Sequence, residues 1–304
     1  MPGEFDIIRR YFSRPAPGAL LAGGDDAALL APRPGMTLAV STDLLLEGRH
    51  FTKDAAPRSL GHKALAVNLS DMAAMGAAPR WATLAIALPE ADDGWLAEFS
   101  EGFYALAARF GVDLVGGDTT RGPRTICVAI LGEVPEGRAL TRAGARPGDD
   151  IWVSGELGGA AHALAHPADA AAARRLHEPE PRVALGERLL GIASAAIDIS
   201  DGFAQDLGHI LERSGAGAAV EYAALPKFSI ADAAEERRCV LAGGDDYELL
   251  FTAPAPARGP IGAIARELGL RLSRVGEIRS GGGLAVLDAQ GAPIAPARGF
   301  DHFA

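Results

Sequence analysis

The stretch Asp113-Leu114-Val115-Gly116-Gly117-Asp118-Thr119-Thr120-Arg121-Gly122 runs from a short apolar segment into two glycines, a carboxylate and a guanidinium. An apolar run passing into such a loop reads as a strand and its exit. Phosphate chemistry uses those three groups together. Glycine removes the Cβ atoms that hold a ligand off the main chain, so backbone N–H groups can face phosphate oxygens. Asp118 offers a hard oxygen ligand for Mg²⁺, whose usual company is carboxylate, water and phosphate. The pattern recurs as Gly23-Gly24-Asp25-Asp26 and as Gly243-Gly244-Asp245-Asp246. One Gly-Gly-Asp is an ordinary turn; three copies beside other acidic loops point to a shared site.

Upstream, Phe5, Ile8 and Phe12 sit at helical spacing within residues 4–13, and Pro15, Pro17 and Gly18 break the pattern. Thr37-Leu38-Ala39-Val40 is a strand that runs into Ser41-Thr42-Asp43. Pro57 suits the first turn of a helix, and the apolar series from Leu60 to Met75 continues to Gly76, a helix terminator. Asn68 and Asp71 lie three apart on one face of that helix. An unsatisfied polar group there costs about 1–3 kcal/mol, so a metal or a loop amide is their expected partner. Residues 80–88 form a strand and 91–110 an amphipathic helix capped by Gly111. Another strand spans 125–134. The first half is thus β-α-β-α-β-β behind an opening helix.

Residues 135–149 are rich in Pro, Gly and charge, as a domain boundary is. With 304 residues, roughly twice the ~150 of one domain, the expectation is two sheet domains of α/β (α+β) class, residues 1–140 and 141–304. In the second half, strands are read at 150–154, 196–199, 272–278 and 284–288. Helices are read at 157–165, 168–176, 183–193, 203–213 and 260–268. Val240–Phe251 reads as a further strand-to-loop passage through the third Gly-Gly-Asp.

A chain 48% hydrophobic and 22% charged is globular, and its net charge of -10 repels nucleic acid and anionic membrane. Cys127 and Cys239 stand far apart in apolar runs, without zinc spacing or a disulfide framework. The start of the chain lacks a basic region followed by an apolar run, and no segment reaches the ~18 apolar residues of a membrane span. The expected location is the cytoplasm.

Asp25, Asp26, Asp43, Asp71, Asp118, Asp198, Asp201, Asp245 and Asp246 fall in or near predicted loops. Each alone also suits a turn or a helix cap. If several converge, their repulsion drives protonation or unfolding unless divalent cations neutralise them. Gly-x-x-x-x-Gly-Lys-Ser/Thr, His-Arg-Asp and a strand followed by Gly-x-Gly-x-x-Gly are absent, so a nucleotide site here is one built from carboxylate-held metals.

Taken in order, Gly24-Asp25-Asp26-Ala27-Ala28, Ser41-Thr42-Asp43, Glu47-Gly48-Arg49-His50-Phe51, the run Lys63–Ala77, Gly116–Gly122, Ile197-Asp198-Ile199-Ser200-Asp201-Gly202 and Gly243–Leu249 resemble the thiamine-monophosphate kinase family across nearly the whole chain. Gly299-Phe300-Asp301-His302-Phe303 is similar too. The resemblance implies the fold of aminoimidazole ribonucleotide synthetase and selenophosphate synthetase, a homodimer joined through its N-terminal sheets, and ATP-dependent phosphorylation of thiamine monophosphate. It implies several Mg²⁺ ions on Asp26, Ser41, Thr42, Asp43, Asp71, Asp118, Asp198 and Asp201. It implies ATP contacts from Tyr104, Gly117, Asp118, Arg142 and Ser200, and thiamine-phosphate contacts from His50, Asp245 and Phe300. Asp43, Asp71 and Asp118, through metals, and Arg142 are the catalytic candidates. From the residues alone, Tyr104 reads as helix packing and Phe300 equally as terminal packing.

Two departures stand out: Ala22-Gly23-Gly24-Asp25-Asp26 where the family commonly has Gly-Ile-Gly-Asp-Asp, and Asp245 where Glu is common. Among enzymes of the same fold, selenophosphate synthetase wants a reactive Cys or selenocysteine near the N-terminus; a different class, a binding or maturation protein on the same scaffold such as the hydrogenase-maturation relative, wants a terminal Cys. The chain has no Cys before Cys127 and ends in Asp301-His302-Phe303-Ala304. The alternatives are aminoimidazole ribonucleotide synthetase-like chemistry and a non-catalytic nucleotide- or metal-binding maturation protein.

Overall fold

The computed structural model describes residues 3–295 and residue 299. The chain forms two compact units, one taking in the chain up to Met72 together with Ala77–Gly137, the other Ala73–Gly76 and the chain from Arg138 onward.

In the first unit, α1 (Glu4–Ile7) continues as a π-type turn (Ile8–Phe12) and is followed by β1 (Met36–Leu46), α2 (Pro57–Ala74), β2 (Ala78–Leu88), α3 (Asp93–Phe110), β3 (Asp113–Arg121) and β4 (Thr125–Pro135). This is the β-α-β-α-β-β order expected from the sequence. Among the described residues the strands make one sheet in the order β1-β4-β2-β3, with β3 parallel to β2 and the other pairs antiparallel.

Asp92 caps α3 by accepting from the N–H groups of Gly94 and Trp95, and Gly111 closes it at φ 64°. The two long helices meet backbone to backbone. A Cβ on Gly61 would lie 2.1 Å from the Phe99 carbonyl oxygen, and one on Gly102 would lie 1.9 Å from that of Arg58. Trp81, Phe99, Phe103, Leu65 and Leu69 fill this core.

The pleat gives β1 two characters. Asp43 pairs with Val128, which pairs with Leu84, and both apolar partners are buried. Ser41, Asp43 and Leu45 therefore point to the packed side. Leu38, Val40, Leu44 and Leu46 point to the other, where Val40 is 63% and Leu44 48% exposed.

In the second unit come β5 (Asp149–Ser154), α4 (Gly159–Ala165), α5 (Ala170–His177), α6 (Val183–Leu189), β6 (Ala195–Asp198), α7 (Phe203–Ser214), β7 (Gly217–Glu221), α8 (Ala233–Ala242), β8 (Leu249–Pro254), α9 (Arg258–Leu268), β9 (Leu272–Arg279), β10 (Gly283–Leu287) and β11 (Pro293–Ile294). Among the described residues the strands form a sheet in the order β11-β10-β7-β9-β5-β8-β6. Every residue of β5 is buried, and Ile151, Val153, Ile197, Phe203, Leu207, Leu250 and Val275 belong to one core around it.

Three elements differ from the sequence reading, the short β11 being one that it did not include. Val240-Leu241-Ala242 is the last turn of α8, because Asp232 caps a helix that the run Ala233–Arg238 favours, accepting from the Glu235 N–H at 2.7 Å. The strand starts only at Leu249. β7 was not anticipated: Gly217-Ala218-Ala219-Val220 has little of the β-branched or aromatic content that marks a strand. Among the described residues no helix is long and apolar enough to cross a membrane.

Candidate active site

The first unit carries its predicted site residues in two groups. On β1, the Ser41 hydroxyl donates to Asp71 Oδ2 on α2 at 2.5 Å. A metal or a loop amide was the expected partner of Asp71; the structure gives it a side-chain hydroxyl from β1. Asn68 donates to the Ala64 carbonyl oxygen at 3.1 Å, is fully buried, and its Oδ1 has no hydrogen-bond partner among the described residues. Asp43 lies two residues beyond Ser41 on the same side of β1, and Thr42 faces the opposite side. The turn after β1 places His50, whose Nδ1 accepts from the Leu46 N–H at 3.0 Å, so the ring proton of neutral His50 sits on Nε2. Ser41, Asp43 and Asp71 are a cluster of hard oxygen donors beside buried apolar residues, a donor set that fits Mg²⁺.

The second group gathers at β3. Gly23 N–H donates to the Val115 carbonyl oxygen at 3.0 Å and ties the Gly23-Gly24-Asp25-Asp26 loop to that strand. Gly24 has φ 110°, which a side chain resists. Gly116-Gly117-Asp118 lies inside β3 and is not its exit loop. Gly117 is required by strand packing, since a Cβ there would fall 1.8 Å from the Leu84 carbonyl oxygen. Gly116 is the glycine with open space, nothing lying within 4 Å of its Cβ position. Asp118 is exposed and shares the side of Ala85, Cys127 and Leu44 in the register.

β1 and β3 are the two edges of the sheet. At ~4.8 Å per strand, three intervals separate Asp43 from Asp118 by roughly 14 Å, and the pleat turns them to opposite sides. The structure joins Ser41 to Asp71 with Asp43 on the same side of β1, and ties the loop that carries Asp26 to β3, but within one sheet it does not join the two groups around one ion.

In the second unit, two loops are stitched to each other. Asp245 N–H donates to the Ser200 carbonyl oxygen at 2.9 Å, Tyr247 N–H to that of Ile199 at 2.8 Å, and Ile199 N–H to that of Glu248 at 2.9 Å. A Cβ on Gly244 would lie 2.3 Å from the Ser200 carbonyl oxygen. Asp198, Ser200, Asp201 and Asp245 are thus brought into one neighbourhood. Asp245 at φ 66° and Tyr247 at φ 49° adopt left-handed conformations uncommon for such residues, a strain that tends to mark functional loops.

Asp206 and Glu248, which organise this neighbourhood, were missed, and Asp246 takes a structural role. Asp206 Oδ2 accepts from the N–H groups of Ser200, Asp201 and Gly202, each at 3.1 Å. Burial, helped by the nearby Asp198 charge, outweighs those amides and pushes its carboxyl up to about 7. The only sequence signal was an acidic residue in the first turn of α7. Glu248 is 2% exposed and receives Arg182 through two hydrogen bonds, at 2.7 and 2.5 Å, and the Ser154 hydroxyl at 2.6 Å. Asp246 accepts from the Gly158 N–H at 2.8 Å, holding the start of α4, and burial raises its carboxyl well above the ordinary range.

Of the nucleotide candidates, Tyr104 on α3 is 7% exposed, and its buried hydroxyl has no hydrogen-bond partner among the described residues. The Arg14 guanidinium stacks 3.7 Å from its ring centre, and burial raises the phenol to about 12. Arg142 is exposed, its carbonyl oxygen accepting from the Ser214 hydroxyl at 3.3 Å. Phe300 lies outside the described residues.

Residues 24–134 match the model of the AIR synthase related protein N-terminal domain, and residues 146–289 that of the AIR synthase related protein C-terminal domain. The chain is 44% identical to the thiamine-monophosphate kinase of Salmonella typhimurium over 99% of its length and 98% of the relative's. It superposes on the crystal structure of the thiamine-monophosphate kinase of Stenotrophomonas maltophilia with a TM-score of 0.86 at 45% identity, covering 95% of each chain. It also resembles a structure described as "AaThiL complexed with AMPPCP and TMP", with a TM-score of 0.78 at 30% identity over 90% of this chain and 89% of that one. The chain belongs to the thiamine-monophosphate kinase family.

Proposed function

We propose that this chain transfers the γ-phosphoryl group of ATP to the phosphate of thiamine monophosphate, giving thiamine diphosphate and ADP. The observation that carries the reading is Ser41 held at 2.5 Å against Asp71, with Asp43 beside them, in a chain whose relatives at this identity are thiamine-monophosphate kinases. An oxygen of the acceptor phosphate forms the new bond to the γ-phosphorus as the bond to the ADP oxygen breaks. That oxygen is already ionised near neutral pH, so the chain needs no general base. His50 is then a binding group, its ring positioned by the hydrogen bond that Nδ1 accepts from the Leu46 N–H.

We assign Asp26, Ser41, Thr42, Asp43, Asp71, Asp118, Asp198 and Asp201 as Mg²⁺ ligands. When bound, Mg²⁺ neutralises charge on the phosphate oxygens during transfer. Tyr104, Gly117, Asp118, Arg142 and Ser200 bind ATP, the Tyr104 hydroxyl, unpartnered among the described residues, being a ready donor to a ligand. His50, Asp245 and Phe300 bind thiamine phosphate, a carboxylate and an aromatic face suiting the cationic thiazolium. Residues 1–140 form the metal-binding and dimerisation domain and residues 141–304 the second domain. A reaction that consumes ATP belongs in the cytoplasm.

The separation of Asp43 from Asp118 across the sheet supports a homodimer. The row Leu38, Val40, Leu44 and Leu46 leaves an apolar side of β1 to be covered, and a second copy laid against it supplies a β3 edge, with its Asp118, to the β1 edge. Sedimentation velocity on Val40→Asp tests this: the dimer should be lost, and a dimer of unchanged stability would contradict it.

The reading is tested by ADP release from purified protein. It should depend on Mg²⁺ and thiamine monophosphate together. ADP release without thiamine monophosphate, or with formylglycinamidine ribonucleotide in its place, would overturn it.

A further inference from the structure

Away from the residues assigned to phosphoryl transfer, the second unit gathers two imidazoles and a carboxylate on one point. His162, on α4, and His166, immediately after it, are four residues apart, and their rings stack with centres 4.2 Å apart. His162 Nδ1 lies 2.8 Å and His166 Nε2 3.0 Å from the same atom, Glu235 Oε1 on α8. One ligand atom from each of the three falls within 4.8 Å of the others. Asp169 Oδ2 stands 3.8 Å from the remaining nitrogen of His162, Nε2. Phe228 packs beside the His162 ring, centres 6.0 Å apart. The His162 and Glu235 side chains are recessed, at 12% and 17% exposure, and His166 at 49% opens the group to solvent.

We propose that His162, His166 and Glu235 form a binding site for a transition-metal dication such as Zn²⁺, Co²⁺ or Ni²⁺. Two imidazole nitrogens and one carboxylate oxygen are the donor set of those ions, whereas Mg²⁺ takes oxygen. Tetrahedral coordination with bonds of about 2.0–2.2 Å sets neighbouring ligand atoms roughly 3.3 Å apart. The nitrogen–oxygen distances of 2.8 and 3.0 Å thus need the Glu235 carboxylate to withdraw by about half an ångström, a side-chain adjustment. Binding at Nδ1 leaves the proton of neutral His162 on Nε2, facing Asp169, and a carboxylate behind a metal-bound imidazole commonly fixes ring and tautomer. Solvent at the His166 side leaves a coordination position for water. The rival arrangement is a hydrogen-bonded contact between α4 and α8 with no metal function. This site is independent of the phosphoryl-transfer reading.

The test is titration of EDTA-treated full-length protein with Co²⁺ in saturating Mg²⁺, following visible absorption, with Zn²⁺ as competitor. One equivalent should bind with the intense bands of four-coordinate Co²⁺ and be displaced by Zn²⁺. His166→Ala and Glu235→Gln should each weaken binding about 10- to 100-fold. His166→Ala, at the exposed member, should keep the metal-free melting temperature. Absence of Co²⁺ binding by the folded wild type, or binding that both variants leave unchanged, would overturn the proposal.

Discussion

Replacing Ser41 by Ala tests whether the β1–α2 contact serves metal binding or only packing. The Ser41 hydroxyl donates to Asp71 Oδ2 at 2.5 Å. A hydrogen bond to a charged acceptor contributes about 1.5–3 kcal/mol. At about 1.4 kcal/mol per decade, losing all of it as Asp71 orientation weakens Mg²⁺ binding roughly 10- to 150-fold. Both side chains are half-buried, so water recovers part of the loss. The expected result is a rise of about 10- to 100-fold in the Mg²⁺ concentration for half-maximal rate, water offsetting part of the lost orientation and the missing Ser41 ligand oxygen adding to the loss. Stability should fall by about 1–2 kcal/mol, the hydrogen bond less what water recovers, because a serine-to-alanine change opens no large cavity. The assay is the initial rate of ADP release across a Mg²⁺ series, with a urea midpoint on the same preparation. A Mg²⁺ dependence identical to wild type would refute the reasoning and leave Ser41–Asp71 as a packing contact.

Two further outcomes follow from buried carboxylates. Asp206→Ala leaves the amides of Ser200, Asp201 and Gly202 without their acceptor; at about 1 kcal/mol each, urea denaturation should show a loss near 3 kcal/mol, and an unchanged midpoint would mean those amides find other partners. Asp150, 1% exposed, is held by the guanidinium of Arg258, at 2.6 and 2.8 Å, and by that of Arg274 at 2.5 Å, which lower its carboxyl against the cost of burial. Its contribution is therefore complete above the unfolded value of about 4 and is lost as pH falls through the lower folded value. Urea midpoints taken from neutral to acid pH should fall more steeply in that window for wild type than for Asp150→Asn; parallel curves would contradict the assignment.

The sequence showed which residue types the site needs more clearly than where the fold would carry them. Helical periodicity with Pro57, Gly76 and Gly111 as punctuation made α2 and α3 legible, because caps and apolar spacing are local properties. The three Gly-Gly-Asp copies looked like one device used three times. In the structure Gly24 serves a left-handed turn, Gly117 the packing of β3 on β2, and Gly244 a close approach to Ser200. These are three separate backbone demands met by the same residue. A dipeptide records that a Cβ is unwelcome and is silent on what would meet it.

The placement of Asp43 and Asp118 on opposite edges depends on strand order, which local patterns do not encode. The same holds for Asp206 and Glu248. Each is an ordinary acidic residue in the sequence, and each acquires its role only when a neighbouring loop folds over it. Asp246, grouped by motif with the functional aspartates, instead secures the start of α4. Tyr104, which the bare pattern read as helix packing, is indeed buried, yet its hydroxyl is left unpartnered among the described residues, a polar feature that periodicity cannot register.

Following the γ-phosphorus tests most directly whether the chain moves a phosphoryl group between two phosphates. With γ-labelled ATP, Mg²⁺ and thiamine monophosphate, all transferred label should appear in the terminal phosphate of thiamine diphosphate. Label released as inorganic phosphate, or retained on the protein, would contradict direct transfer.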